Sequence, residues 1–423
     1  MHSPSCLDSL PDAPLPAAIH RGTPAFVRIS VALFAAGVAT FGLLYCVQPL
    51  MPALGQAFGV GAARSALPLS LTTGVLACAM LLTGALSDRW GRKPVMAVAL
   101  LLSALLGLGC ALAHAWSLLL ILRAMLGLSL SGVPAVAMTY LAEELHTDAI
   151  GLGMGLYIAG SAVGGMAGRL LASVAADLYG WRAGIASVGV LALVAALAFV
   201  RLLPDARRFR AVPVHPRALA QRFAGAFRDA GLPWLFVEGF LLLGSFVTVY
   251  NYAAYRLMGA PYHLSQSAVG LVFGVYLVGT LSSTWMGALA GRLGRRKVLW
   301  TTLATMLAGI VLTLASPLAC VVLGIALVTF GFFGGHSIAS SWVGRRAGGA
   351  KVQAASLYLF CYYLGSSVCG LAGGVFYSAC GWIGVGAFVA ALLLVALAIA
   401  WRLRGLPPLP GPPSPGTEPA LPQ

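Results

Sequence analysis

Apolar residues in this chain run in long unbroken stretches, interrupted by short polar turns. Five stretches lie at about 27–54, 64–87, 94–114, 116–142 and 149–175, and a sixth ends near Leu203. Six more lie near 233–258, 266–290, 298–316, 318–342, 352–378 and 382–402. Their lengths suit the roughly 17–25 residues with which a helix crosses about 30 Å of hydrocarbon. The pattern predicts an all-α integral membrane protein with twelve transmembrane helices. The stretch at 149–175 is rich in small residues, which let helices approach closely in a bilayer.

The polar intervals set the domain plan. Residues 1–26 are a short cytoplasmic tail, polar and proline-bearing, without the apolar core of a cleavable signal peptide. A first six-helix bundle spans 27–203 and a second 233–403, joined by a basic cytoplasmic linker at 204–232. The linker holds Arg207, Arg208, Arg210, Arg217, Arg222 and Arg228, interleaved with Phe209, Leu219, Phe223 and Phe227. That spacing suits either an amphipathic helix on the membrane surface or a solvated connector. Residues 404–423 are a proline-rich, disordered tail.

Composition agrees with the pattern. Of the 423 residues, 60% are hydrophobic and 9% charged, where a soluble domain carries about 25% charged residues. The net charge of +15 reads as a topology signal rather than a nucleic-acid surface. With the amino terminus inside, all of the 26 lysines and arginines except Arg64, Arg123, Arg169, Arg182 and Arg256 fall at the cytoplasmic face. Both termini are therefore expected inside, in an inner (plasma) membrane. The eight cysteines form no C-x-x-C pair, and most sit in apolar stretches as reduced packing residues.

The chain also repeats itself. Gly84-Ala85-Leu86-Ser87-Asp88-Arg89-Trp90-Gly91-Arg92-Lys93 returns as Gly287-Ala288-Leu289-Ala290-Gly291-Arg292-Leu293-Gly294-Arg295-Arg296-Lys297. Three further anchors keep the same order. Tyr45 to Met51 pairs with Tyr252 to Met258, Gly160 to Gly168 with Gly365 to Gly373, and Gly180-Trp181 with Gly381-Trp382. Six helices per half give both copies the same orientation, with a binding site expected between them near the midplane.

On these residues the chain resembles the major facilitator superfamily from about residue 27 to 402. The family's G-x-L-x-D-R-x-G-R-K hairpin is met by Gly84, Leu86, Asp88, Arg89, Gly91, Arg92 and Lys93, with Gly291 replacing the aspartate in the second copy. The fourth-helix arginine motif is partly met by Arg123 and Gly127, with Leu126 where a glutamine is usual. The antiporter motif G-P-x-x-G-G is approximated by Gly160-Ser161-Ala162-Val163-Gly164-Gly165, serine replacing proline. Tyr45-x-x-Gln48-Pro49-Leu50, Gly164 to Arg169, Glu238-Gly239-Phe240 and Tyr250-Asn251-Tyr252 resemble the YnfM-type (acriflavine-sensitivity) branch of drug–proton antiporters. The resemblance implies two six-helix bundles related by a pseudo-two-fold axis.

Candidate residues follow from charge in an apolar setting. Gly84, Asp88, Arg89, Gly91, Arg92 and Lys93, with Glu143 and Glu144 on the same membrane side, form a candidate gate that latches the two halves and releases on opening. Arg123, Glu238 and His336 are candidates for proton coupling, because a charge inside an apolar span is costly without a task. Tyr45, Gln48, Arg123, Arg169, Tyr250, Asn251, Tyr362 and Tyr363 are candidates to line a substrate cavity; an interfacial aromatic belt is the rival for Tyr252 and Tyr255. Arg169 equally suits snorkelling to the outer interface.

No nucleotide-binding loop, metal-ligand set or catalytic nucleophile stands out, so neither an enzyme nor a bound cofactor is expected. The expected partners are the lipid bilayer, a small-molecule substrate and protons, with the chain acting as a monomer. The reading is proton-coupled efflux of a small organic solute by alternating access. Its rivals are uptake of an organic anion or other small solute, and a non-transporting receptor or scaffold of the same fold.

Overall fold

The protein is described by a computed structural model covering residues 16–209, 221 and 223–406. Most of the amino-terminal tail, the middle of the basic linker with Arg210, Arg217, Leu219 and Arg222, and the proline-rich tail from 407 lie outside the described residues.

Among the described residues the regular elements are helices, and an isolated parallel bridge pairs Ile19 with Leu145. The first half holds α1 (Pro24–Tyr45), α2 (Met51–Phe58), α3 (Ala62–Ser65), α4 (Leu67–Trp90), α5 (Arg92–Ala111), α6 (Trp116–Leu130), α7 (Pro134–Glu144), α8 (Thr147–Tyr179) and α9 (Trp181–Leu202). The second holds α10 (Leu232–Met258), α11 (Gln266–Val272), α12 (Leu277–Leu293), α13 (Arg295–Leu312), α14 (Leu318–Arg346) and α15 (Lys351–Arg404).

Ten helical stretches among the described residues are long and apolar enough to cross a membrane. One of them, α15, is two helices meeting at Cys380 and Gly381, where Gly381 takes a φ of 59° that favours glycine. α13 opens on Arg295, Arg296 and Lys297 and carries a further expected span behind that charged turn. Each of the twelve expected stretches thus has its helical span. Exposed large side chains such as Leu82, Val98, Leu105, Leu281 and Ile383 suit a chain whose solvent is hydrocarbon.

Besides a one-residue break at Ala66 near the start of the second, three stretches expected as continuous are interrupted. The first breaks at residues 46–50, where Pro49 offers no amide and the Gln48 amide bonds the Tyr45 carbonyl, three residues back. The fourth breaks at Ser131-Gly132-Val133, just before Pro134. The eighth passes through a 3-10 turn at Phe273–Tyr276 between α11 and α12. The hairpin after Gly84 is tighter than a polar turn: α4 stays helical to Trp90, and Gly91 alone, at φ 93°, reverses the chain into α5.

The chain divides into two compact units, one drawn from Met1–Leu50 and Cys78–Val214, the other from Met51–Ala77 and His215–Gln423. In the first unit α8 lies against α1. A Cβ on Gly160 would stand 2.3 Å from the Phe34 carbonyl oxygen, one on Gly164 2.5 Å from Val38 Cα, and one on Gly168 2.6 Å from Gly42 Cα. In the second unit α15 lies against α10 with the same spacing. A Cβ on Gly365 would stand 2.0 Å from the Phe240 carbonyl oxygen, and one on Gly373 2.4 Å from Thr248 Cγ2. Also in the second unit, the Tyr255 hydroxyl lies 2.8 Å from Ser65 Oγ and 3.1 Å from the Met51 carbonyl oxygen, and the Ser367 hydroxyl donates to the Ser70 carbonyl at 2.7 Å.

Candidate functional site

The hairpin charges form a network inside the first unit, and Arg92 is its centre. Placed at the first position of α5, its guanidinium is nearly buried. It grips Glu143 at the end of α7 with two bonds, Nε to Oε2 at 3.1 Å and Nη2 to Oε1 at 2.7 Å. Its remaining nitrogen, Nη1, donates to Asp88 Oδ1 at 2.5 Å and Ser87 Oγ at 2.6 Å. Such a bidentate pair fixes geometry as well as charge. Lys93 bonds Asp205 at 2.8 Å, and that contact holds the Asp205 carboxyl below the usual carboxylate range. Glu144 turns away from the hairpin and accepts the Arg208 amide at 2.8 Å, while Arg89 is exposed. Gly84, helical in α4, meets no atom a Cβ would touch.

Two buried arginines lie in the same unit. Arg123 on α6 donates to the Leu43 and Leu44 carbonyls, both at 2.9 Å, just where α1 ends. Arg169 on α8 donates through Nε to Gln48 Oε1 at 2.7 Å and through Nη1 to the Gly165 carbonyl at 2.6 Å. Its guanidinium carbon also lies 4.6 Å from the Tyr45 ring centroid. Thus Tyr45, Gln48 and Arg169 come together as one fully buried cluster, rather than Arg169 snorkelling outward, and Arg123 caps the break in the same helix.

The second unit holds the third group. Glu238 lies two turns into α10, fully buried, and neither carboxyl oxygen has a hydrogen-bond partner among the described residues. The neighbouring Gly239 lies against the Tyr358 ring, and Tyr358 is within electrostatic reach of the Glu238 carboxyl. His336 on α14 bonds the Tyr358 hydroxyl through Nδ1 at 3.0 Å, so its partner is that tyrosine and not Glu238. Tyr362 packs 4.5 Å from the His336 ring and 5.2 Å from Tyr363. Tyr358 escaped the sequence reading; its place four residues before Tyr362 puts both on one helix face, which is the signal that could have found it. Tyr250 stands apart, its hydroxyl 2.8 Å from Thr329 Oγ1 and its ring stacked on Phe273. Asn251 is fully buried beside Gly370. Tyr252, whose hydroxyl donates to the Gly370 carbonyl, is buried too, not part of a lipid-facing belt.

Comparison with known proteins agrees with this architecture. The family description of the Major Facilitator Superfamily matches the chain twice, over residues 33–258 and 239–422. The inner membrane transport protein YnfM of Escherichia coli (strain K12) is 51% identical over 386 residues, covering 91% of this chain and 93% of that protein. The uncharacterized MFS-type transporter YybF of Bacillus subtilis (strain 168) is 44% identical over 379 residues, 90% of this chain and 94% of its own. Among solved structures, a bacterial homologue of the human lysosomal transporter Spinster superposes with a TM-score of 0.73 at 14% identity, over 90% of this chain and 97% of that one. The nucleoside transporter NupG superposes at 0.72, with 14% identity over 89% of this chain and 99% of its own. With the helical count, the duplicated packing and these matches in agreement, the chain belongs to the major facilitator superfamily and is a membrane transporter of the YnfM type.

Proposed function

We propose that the protein exports a small organic compound from the cytoplasm across the inner membrane in exchange for protons, with both termini inside. The observation that carries the proton coupling is the Glu238 carboxyl, buried in α10 with no hydrogen-bond partner among the described residues. A carboxyl group buried in an apolar span without such a partner is costly to keep there, which points to a task beyond packing. Such a group suits a carrier that travels neutral and releases its proton when the protein opens it to water. The adjoining Tyr358–His336 pair supplies hydroxyl and imidazole groups within the same apolar setting. The direction of transport rests on the resemblance of Gly160-Ser161-Ala162-Val163-Gly164-Gly165 to the antiporter motif. Uptake of an organic anion would call on Arg123 and Arg169, and those guanidiniums bond backbone carbonyls and Gln48.

Reconstitution into proteoliposomes with a pH-sensitive dye, screened against a compound panel, tests both parts. An exported compound should dissipate an imposed pH gradient. Glu238→Gln should keep substrate exchange at equilibrium while losing the response to the gradient. A variant whose transport still follows the gradient would sink Glu238 as the carrier.

A further inference from the structure

At the junction of the amino-terminal tail with the first unit, three side chains meet that the transport reading does not use. The Ile19 amide donates to the Glu144 carbonyl and the His146 amide to the Ile19 carbonyl, both at 2.9 Å. These two bonds form the bridge between Ile19 and Leu145 and tie the tail to the turn between α7 and α8. The Thr23 hydroxyl donates to the His20 carbonyl at 2.9 Å, so His20 is fixed from both sides. His146 is the N-cap of α8, with an extended backbone and no side-chain cap hydrogen bond. Its Nδ1 lies 2.8 Å from Asp148 Oδ1, while Asp148 Oδ2 faces His20 Nδ1 at 3.6 Å. The two imidazole rings lie 4.1 Å apart.

We propose that His20, His146 and Asp148 form a binding site for a divalent transition-metal ion of the zinc class, which clasps the amino-terminal tail to the start of α8. The donor atoms of the three residues all lie within 4.8 Å of one another. Ligands on a zinc ion at about 2.0–2.2 Å from the metal sit closer together than that. All three side chains are exposed, and the site requires them to turn inward on the ion. Two imidazoles and one carboxylate suit zinc, cobalt or nickel; magnesium and calcium prefer all-oxygen sets. The exposed position leaves the remaining coordination sites to water, so binding in the micromolar range is expected rather than the tight closure of a structural zinc site. The site also lies close to the hairpin network: the turn it clasps directly follows the last residues of α7, among them Glu143, the bidentate partner of Arg92.

The test uses the full chain in detergent, with any affinity tag removed and the metal stripped by chelator. Titration with zinc by calorimetry, and with cobalt by visible absorption, should show one ion per chain, with no heat from magnesium. His20→Ala and His146→Ala should each weaken binding by roughly tenfold or more, as should Asp148→Asn. All three side chains are exposed, so metal-free thermal stability should stay near that of the parent. Zinc should also slow trypsin cleavage after Arg21, next to His20, in the parent and not in the variants. Absence of binding in the micromolar range, or binding that ignores all three substitutions, overturns the proposal.

Discussion

At the scale of single residues, the buried arginines teach the most. From sequence, Arg123 read as a cavity group, because an unpaired guanidinium inside a membrane is costly. In the structure its partners are main-chain carbonyls at the break of α1, which no side-chain motif announces. The signal was there in Pro49, but it marks the broken helix and says nothing about which residue mends it. If mending is the role, Arg123→Met leaves the Leu43 and Leu44 carbonyls buried without those donors, at about 1–3 kcal/mol each. Arg123→Lys, with a compact ammonium in place of the planar fork, should recover only part of the loss. Thermal unfolding in detergent checks this. A variant that melts like the parent and has lost transport would move Arg123 from scaffold to mechanism. Glu238 is the opposite case: the sequence showed an acid in an apolar span, and the structure leaves it there without a partner among the described residues.

At the scale of elements, the repeat seen in the sequence acquires a physical cause. Gly160, Gly164 and Gly168 on α8 meet Phe34, Val38 and Gly42 on α1; Gly365 and Gly373 on α15 meet Phe240 and Thr248 on α10. Backbone contacts this close need the missing Cβ, so the glycines that resemble an antiporter motif are first of all a helix seam used twice. Gly365→Ala should be severely destabilising, because the obstructing atom is a carbonyl oxygen that cannot rotate away. Gly84→Ala makes the contrast. It lies within α4 with open space around it, and alanine there should raise helix stability by about 0.5–1 kcal/mol. Melting curves for the two variants, together with transport for Gly84→Ala, separate the cases. A stable Gly84→Ala protein that no longer transports would tie that glycine to the transport cycle rather than to the stability of the fold. Helix existence was legible because twenty apolar residues in a row admit few alternatives. The breaks before Pro134 and at Phe273–Tyr276 were not, because hydropathy averages over a kink.

At the scale of the whole molecule, the asymmetric distribution of lysine and arginine places two kinds of ionisable group in different settings. Glu238 sits within a span, whereas Asp205 follows α9 and Asp229 precedes α10, at helix ends expected to face the cytoplasm. Asp229 shows what the second kind does. Its Oδ1 accepts the Gly231 and Leu232 amides at the start of α10, both at 2.8 Å, and the same carboxyl takes two bonds from Arg346. Partial burial pushes this carboxyl up, but Arg346 and the two amides more than offset it, so it ends below the usual carboxylate range. A group whose folded pKa is depressed stabilises the fold above its unfolded value, near pH 3.9, and loses that contribution as pH falls through the folded value. Asp229→Asn should therefore cost about 1–2 kcal/mol at neutral pH, the scale of a lost cap. The deficit should shrink in acid and vanish once the parent carboxyl is protonated. Melting temperatures of parent and variant from pH 7 down to pH 3 in detergent measure it directly. Curves that run parallel through the acid range would show that the Asp229–Arg346 pair does not hold that end of the second unit. Convergence only below the ordinary carboxylate range would instead mean that the ion pairs at this end stay charged at every pH where a proton gradient works. Any pH dependence of transport near neutrality would then have to come from another group, and Glu238→Gln is the variant that isolates it.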